Sequence, residues 1–123
     1  MKQWNVGLMA HLGMRFVELG ADKVVAELDL REELSTVGGA VHGGTLMALA
    51  DTVGAAGTVA MGLRTATLES KTNFFAAATA GKLRAESTAL HKGRRTHVWQ
   101  TRVTDEKGRL LSLTIQTQMI LDK

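Results

Sequence analysis

Between residues 45 and 61 the chain reads TLMALADTVGAAGTVAM, and Asp51 is the one ionisable side chain in it. An ionised carboxylate among apolar neighbours is costly unless it is paired, hydrogen-bonded or put to use. Two roles are open to it. It is either a structural aspartate, bonded to backbone or to a nearby Thr52 or Thr58, or a general base or nucleophile facing a cleft. Just upstream lies Val41-His42-Gly43-Gly44-Thr45. A glycine pair at such a place either shapes a loop or lets another molecule approach the backbone. If a helix begins here, its first turn offers unpaired N–H groups and a partial positive charge. Those suit a carbonyl oxygen that becomes an oxyanion during acyl transfer.

Gly43 and Asp51 are eight positions apart, which is about 12 Å along one helix. No single carbonyl can touch both. If both act on one acyl carbon, Asp51 must come from a second copy whose helix runs antiparallel to the first. The two-residue chemistry therefore requires a dimer with shared sites. A further cluster, His91-Lys92-Gly93-Arg94-Arg95-Thr96, places three cations within residues 92–95. Such a turn is either simply solvated or a seat for phosphate groups, which Arg and Lys bind well.

The elements that carry these residues follow from periodicity. Residues 2–11 form a short, weakly amphipathic helical segment ending near Gly13, residues 15–19 a brief strand, and Gly20-Ala21-Asp22 a turn. Residues 23–30 alternate Val24, Ala26, Leu28 and Leu30 against Lys23, Val25, Glu27 and Asp29, the signature of a half-buried strand. Residues 31–41 read as a loop closing on Gly38-Gly39. Residues 45–61 show apolar or small side chains on every side, which predicts a helix surrounded by protein, with Gly62 as its stop. Strands follow at 65–75, 81–91, 96–104 and 110–121, with hairpin turns at His91-Lys92-Gly93-Arg94 and Asp105-Glu106-Lys107-Gly108. The last strand alternates Leu111, Leu113, Ile115, Thr117, Met119 and Leu121 against Ser112, Thr114, Gln116 and Gln118. Two strands, one apolar helix and four antiparallel strands predict an α+β fold, an antiparallel β-sheet wrapped around one long buried helix.

Composition narrows the function classes. A length of 123 residues suits one domain spanning 1–123. Hydrophobic residues at 45% and charged residues at 22% argue for a globular chain rather than a disordered one. There is no cysteine, so no disulfide framework and no thiolate metal site is expected. His11 and His97 belong to no HxH or HExxH spacing, so neither a metal nor any other cofactor is expected. The N-terminus lacks the basic flank and apolar run of an export signal, and no apolar run reaches about 18 residues. A cytoplasmic protein with no membrane partner is the resulting expectation. The net charge of +3 suits a polyanionic small ligand, while aromatics at 4% are too few for a base-stacking surface, so no nucleic-acid partner is expected.

The stretch GAVHGGTLMALADTVGAAG, within residues 8–57, resembles the PaaI-like branch of the hotdog-fold acyl-CoA thioesterases. The likeness continues through residues 67–75, the turn at 91–96 and the final strand, nearly the whole chain. The resemblance implies a hotdog fold, a homodimer with a continuous sheet, and commonly a homotetramer made of two dimers. It implies hydrolysis of acyl-CoA to free acid and CoA, so that coenzyme A is part of the substrate. The Gly43 N–H would polarise the thioester carbonyl, and Gly44 would let the substrate reach the backbone. Asp51 of the partner subunit would activate water or attack the acyl carbon itself. His42 would shape the loop and meet the substrate, and the Thr67 hydroxyl would position water or carboxylate.

Relatives carry Asn six residues before the motif histidine, where this chain has Thr36. A hydroxyl from Thr36, or from Ser35, would then stand in with a single donor for an amide. The family places CoA phosphates near the turn holding Lys92, Gly93, Arg94 and Arg95. The acyl group, aromatic or aliphatic, would lie near Met47, Phe74 and Phe75. Two other readings stay open. A hotdog hydratase or dehydratase would set a histidine and an acid across the cleft, as His42 and Asp51 would be. A non-catalytic acyl-CoA sensor is the reading that Thr36 keeps alive.

Overall fold

The computed structural model of the chain describes residues 4–122. In chain order the elements are α1 (Gly7–Leu12), β1 (Arg15–Leu19), β2 (Lys23–Asp29), a single 3-10 turn (Glu32–Leu34), α2 (Gly43–Ala60), β3 (Arg64–Phe74), β4 (Lys82–Lys92), β5 (Thr96–Thr104) and β6 (Leu110–Asp122). Residues 2 and 3 of the expected first helix lie outside the described residues. The strands form one antiparallel sheet in the order β1-β2-β4-β5-β6-β3. This is the expected α+β architecture, with α2 laid across the inner face of the sheet.

The side of α2 that meets the sheet is apolar and small. Leu46, Leu49, Ala50, Val53, Ala56 and Gly57 are buried there, against Val24, Ala26 and Leu28 of β2, Leu83 and Ala85 of β4, and Val103 of β5. Gly57 sits flat on the Trp99 ring, and a methyl group in its place would lie 2.0 Å from that ring. The helix ends at Gly62, whose φ of +83° is the left-handed conformation that glycine adopts without strain.

The opposite side of α2 is open. Gly44, Met47, Ala48, Asp51, Thr52, Ala55 and Val59, spaced three or four apart, form a stripe that the chain itself does not bury. The sheet wraps the helix on one side only.

The final strand alternates as expected, and its polar set is the one turned inward. Ser112 and Thr114 are 0% exposed and Gln116 and Gln118 are 1% exposed, whereas Ile115 and Met119 on the outer face are 42% and 40% exposed. Thr114, Gln116 and Gln118 make hydrogen bonds there, whereas the Ser112 hydroxyl has no partner among the described residues.

At the β5–β6 turn, Asp105 accepts the N–H groups of Lys107 at 3.0 Å and Arg109 at 2.9 Å. The Arg109 backbone N–H is the largest influence holding this carboxyl below its usual range.

The two sheet edges differ. β1 is short and bulged at Phe16–Glu18, a device that blunts an edge. β3 is an 11-residue edge strand without proline, and most of its side chains are exposed. Packing at Gly57 makes a specific demand on stability. Gly57→Ala should destabilise the protein by about 1–3 kcal/mol through overpacking, outweighing the gain of about 1 kcal/mol that alanine brings to a helix. Denaturant unfolding measures the difference.

Candidate active site

The start of α2 is organised by His42. Its backbone is extended, and its Nδ1 accepts the Gly44 N–H at 2.7 Å. The His42 carbonyl accepts the N–H groups of Thr45 at 2.9 Å and Leu46 at 3.3 Å. Gly43 is left as the residue of this first turn whose N–H has no acceptor among the described residues. Because Nδ1 is an acceptor, the proton of the neutral ring is assigned to Nε2. The Phe74 ring lies on Gly43, so that a Cβ there would be 3.3 Å from it. His42, Gly43, Gly44 and Phe74 are thus brought together.

The preceding loop is tied down from several directions. The Val41 N–H donates to the Ala78 carbonyl at 2.8 Å and the His42 N–H to the Leu34 carbonyl at 2.9 Å. The Thr45 hydroxyl donates to the same Leu34 carbonyl at 3.0 Å. Thr36 belongs to a tight turn in which its Oγ1 accepts the Gly38 N–H at 3.2 Å and its N–H meets the Ala40 carbonyl at 2.7 Å. Among the described residues no hydrogen bond joins Thr36 to Gly43 or Asp51.

Asp51 sits in the middle of the open stripe, half-buried. The Thr67 hydroxyl on β3 donates to its Oδ1 at 2.7 Å. Gln116 on β6 donates from Nε2 to the same Oδ1 at 3.2 Å and to the Asp51 carbonyl at 3.2 Å. Gln118 Oε1 lies 2.7 Å from Gln116 Nε2 and 2.8 Å from the Thr67 hydroxyl. Asp51 Oδ2 has no protein donor among the described residues. Thr58, one of the partners a structural role would have used, is occupied elsewhere, with His97 Nδ1 at 2.8 Å and Trp99 Nε1 at 2.9 Å. Sequence reading placed Asp51 and Thr67 and missed both glutamines. The signal for them was the strict alternation of β6, which marks two faces without saying which one turns inward.

The cationic turn lies far from the helix start of its own chain. Lys92 pairs with Asp22, so its charge is already met, while Arg94 and Arg95 are exposed. The Arg95 carbonyl accepts the Ile120 N–H at 2.9 Å, and Ile120 is in register with Thr65 at the beginning of β3. Gly43 sits at the end of β3, under Phe74. From Thr65 to Phe74 the strand runs about 30 Å, so one chain holds its basic turn and its helix start at opposite ends. Gly93 closes the turn by donating to the Thr96 carbonyl at 2.8 Å. Met47, Phe74 and Phe75 are 41%, 51% and 58% exposed.

An antiparallel sheet curled on one central helix is the hotdog fold. The sequence profile of the thioesterase superfamily matches residues 38–112, and the chain belongs to that family. It is 31% identical over 112 residues to a 1,4-dihydroxy-2-naphthoyl-CoA hydrolase of Listeria monocytogenes, covering 89% of this chain and 91% of that protein. It is 32% identical over 117 residues to the 1,4-dihydroxy-2-naphthoyl-CoA hydrolase of Escherichia coli, covering 93% and 86%. The crystal structure of a hypothetical thioesterase from Streptococcus pneumoniae with coenzyme A shares the fold, with a TM-score of 0.93 at 22% identity over 100% of this chain and 98% of that one. No helix among the described residues is long and apolar enough to cross a membrane.

The capping contact at the helix start has a measurable weight. His42→Ala should lower stability by about 0.5–2 kcal/mol, the usual value of a lost N-cap, and His42→Asn should restore most of it because asparagine caps well. Chemical denaturation of the three proteins reads this directly.

Proposed function

We propose that two copies of this chain form a dimer that hydrolyses acyl-CoA thioesters at two shared sites. The observation that carries the proposal is the pairing of an unsatisfied Gly43 N–H with an open Asp51 carboxylate on one helix, too far apart to act together within one chain. Antiparallel docking of the open α2 stripes, with the two β3 edges pairing into a continuous sheet, brings Gly43 of one copy to Asp51 of the other. The same docking carries the basic turn of the second copy toward the helix start of the first.

In this site the thioester oxygen accepts the Gly43 N–H, at a helix end that favours developing negative charge. Asp51 takes a proton from water as the water oxygen bonds to the acyl carbon, or that carboxylate attacks the carbon itself to form a mixed anhydride, which water hydrolyses to the free acid and the restored carboxylate after CoA has left. The C–S bond then breaks, and the sulfur of CoA leaves with the electron pair and takes up a proton. Thr67 holds the carboxylate in place. His42 contributes by occupying the Gly44 N–H and shaping the approach to Gly43. Arg94 and Arg95 hold the phosphates of CoA, with Lys92 a lesser contributor because Asp22 already neutralises it. Thr36 acts through the geometry of its loop.

The acyl group lies beside Phe74, Phe75 and Met47. An aromatic acyl group is the reading we favour, since the Phe74 ring already covers Gly43 and offers a stacking surface. The names of the two hydrolases described above, both specifying an aromatic acyl-CoA, support the same choice. The exposed Ile115 and Met119 on the outer face of the sheet supply a surface on which two dimers pair. The protein acts in the cytoplasm, where acyl-CoA is found, and needs no cofactor.

Thiol release from aromatic and aliphatic acyl-CoAs tests the proposal. Asp51→Asn should lose about 10²–10⁴-fold in kcat, the range of general-base catalysis, with ligand binding retained. Turnover near that of the unaltered protein would reject the assignment of Asp51. Arg94→Ala and Arg95→Ala should each raise KM several-fold with little change in kcat, an effect that fades as salt is added. Lys92→Ala should do less.

A further inference from the structure

The hydrogen-bond cluster behind Asp51 contains one proton fewer than its short contacts require, and that deficit assigns roles to two residues the mechanism has not used. We propose that Gln116 and Gln118 are positioning residues that keep Asp51 hydrogen-bonded both before and after it takes a proton, with the Asp51 carboxyl and the Thr67 hydroxyl as the parts that turn. The inference rests on the reading of Asp51 as the base.

Thr67 Oγ1 is 2.7 Å from Asp51 Oδ1 and 2.8 Å from Gln118 Oε1. Both neighbours are acceptors, and a threonine has a single hydroxyl proton. When Asp51 is a carboxylate, that proton points to Oδ1, and Gln116 Nε2 is the second donor at 3.2 Å. When Asp51 has taken a proton from water on the open Oδ2, a half-turn of the carboxyl about Cβ–Cγ brings that O–H to Thr67 Oγ1. The Thr67 proton then rotates to Gln118 Oε1. That half-turn and one hydroxyl rotation satisfy both states, and no atom outside the Asp51 carboxyl and the Thr67 hydroxyl has to move.

The network itself fixes the amide orientations. Gln116 Nε2 is surrounded by three acceptors, the Asp51 carbonyl, Asp51 Oδ1 and Gln118 Oε1. The amino end must therefore be the one that points there. Gln118 Nε2 donates to Thr65 Oγ1 at 3.1 Å, and Thr65 passes its own proton to the Met119 carbonyl at 2.7 Å. Gln118 Oε1 is thereby held facing Thr67.

One end of Gln116 works against stability. Its Oε1 is buried with no donor among the described residues, pressed under Gly54, where a methyl group would lie 2.2 Å from it. A buried carbonyl oxygen without a donor weakens a fold. Gly54 gives up a helix-favouring side chain to admit it. Both concessions make sense if the amide is there for its N–H groups. The charged residues of the neighbouring strand stand apart from this cluster, since Glu69 and Lys71 are in register with Thr117 and Ile115 on the outer face. On β5, His97 is in register with Gln118 and bonds Thr58. Asp51 is the sole ionisable group of α2.

The test is kcat/KM against pH for the unaltered dimer, Gln116→Met and Gln118→Met, with Asp51→Asn as the reference. Gln118→Met leaves the Thr67 proton no acceptor but Asp51, which favours the carboxylate, so the acidic limb should move to lower pH. Gln116→Met removes a donor from the carboxylate and frees Gln118 to draw the Thr67 proton away, so the limb should move to higher pH. Each displacement should be about half to one pH unit, the size of one hydrogen bond to a charged group.

Limbs that stay put, or move in the same direction, while Asp51→Asn is inactive would overturn the relay and leave the role of Asp51 standing. An active Asp51→Asn would overturn both. If either methionine variant does not fold, as judged by gel filtration and thermal unfolding, the exposed Thr67 carries the test. Thr67→Ser should keep the original profile and Thr67→Val should shift it. A Thr67→Val profile identical to that of the unaltered protein would overturn the relay.

Discussion

A carboxylate survives on an apolar helix here because the strand face beneath it is polar. Asp51 receives one hydroxyl and one amide donor on Oδ1, and hydrogen bonds to charged groups contribute about 1.5–3 kcal/mol each. That is enough to offset the partial loss of water around a half-buried group and still leave Oδ2 available. Several otherwise puzzling choices follow from this contact. β6 turns glutamines inward, Gly54 vacates the space one of them fills, and Thr67 stands at the edge of the sheet rather than in its core. Remove the need to hold Asp51 and none of these choices has a reason.

The helix is a rod with different chemistry at two heights. Its beginning presents an N–H with no acceptor among the described residues, since His42 has taken the neighbouring one at Gly44. Its middle presents the carboxylate. The rigidity that keeps the two apart also keeps them in fixed relation, so in the proposed dimer an antiparallel second rod would complete two sites by one docking event. The small residues along the open stripe, Gly44, Ala48 and Ala55, permit the close approach such docking needs. The long edge of β3 lies next to that stripe, and although the strand is bulged near its start and carries Glu69 and Lys71, it has no proline and is not short. Helix stripe and strand edge thus make the same demand.

What the sequence made legible was whatever one element decides alone. The helix at 45–61, its stop at Gly62, the alternation of β2 and β6 and the position of Asp51 are all local matters of spacing and composition. What stayed hidden depends on which elements meet. Alternation in β6 divides its residues into two faces, yet the inward face is decided by Asp51, which is 65 residues away from Gln116. Lys92 reads as a free cation until the fold brings Asp22, 70 residues distant, against it. Thr36 reads as a substitute for an amide, and only the fold shows that its Oγ1 also accepts the Gly38 N–H within its own turn. His42 reads as a substrate contact, and its cap on Gly44 becomes visible only once the helix start is drawn in three dimensions.

β6 also sets a limit on how independent one copy can be. A strand that places Ser112, Thr114, Gln116 and Gln118 inside and Ile115 and Met119 outside reverses the arrangement expected of a sheet with one solvated face. The two glutamines face inward where they meet Asp51 and Thr67, and Thr114 where it meets the Thr72 hydroxyl. The apolar residues are outside because alternation leaves them nowhere else to go. A chain that commits one face of this strand to holding a carboxylate thus exposes hydrophobic surface on the other. In the proposed assembly a further copy would cover that surface without touching the site. The oligomer proposed above would then follow from the chemistry of the interior, and not only from the geometry of the edge.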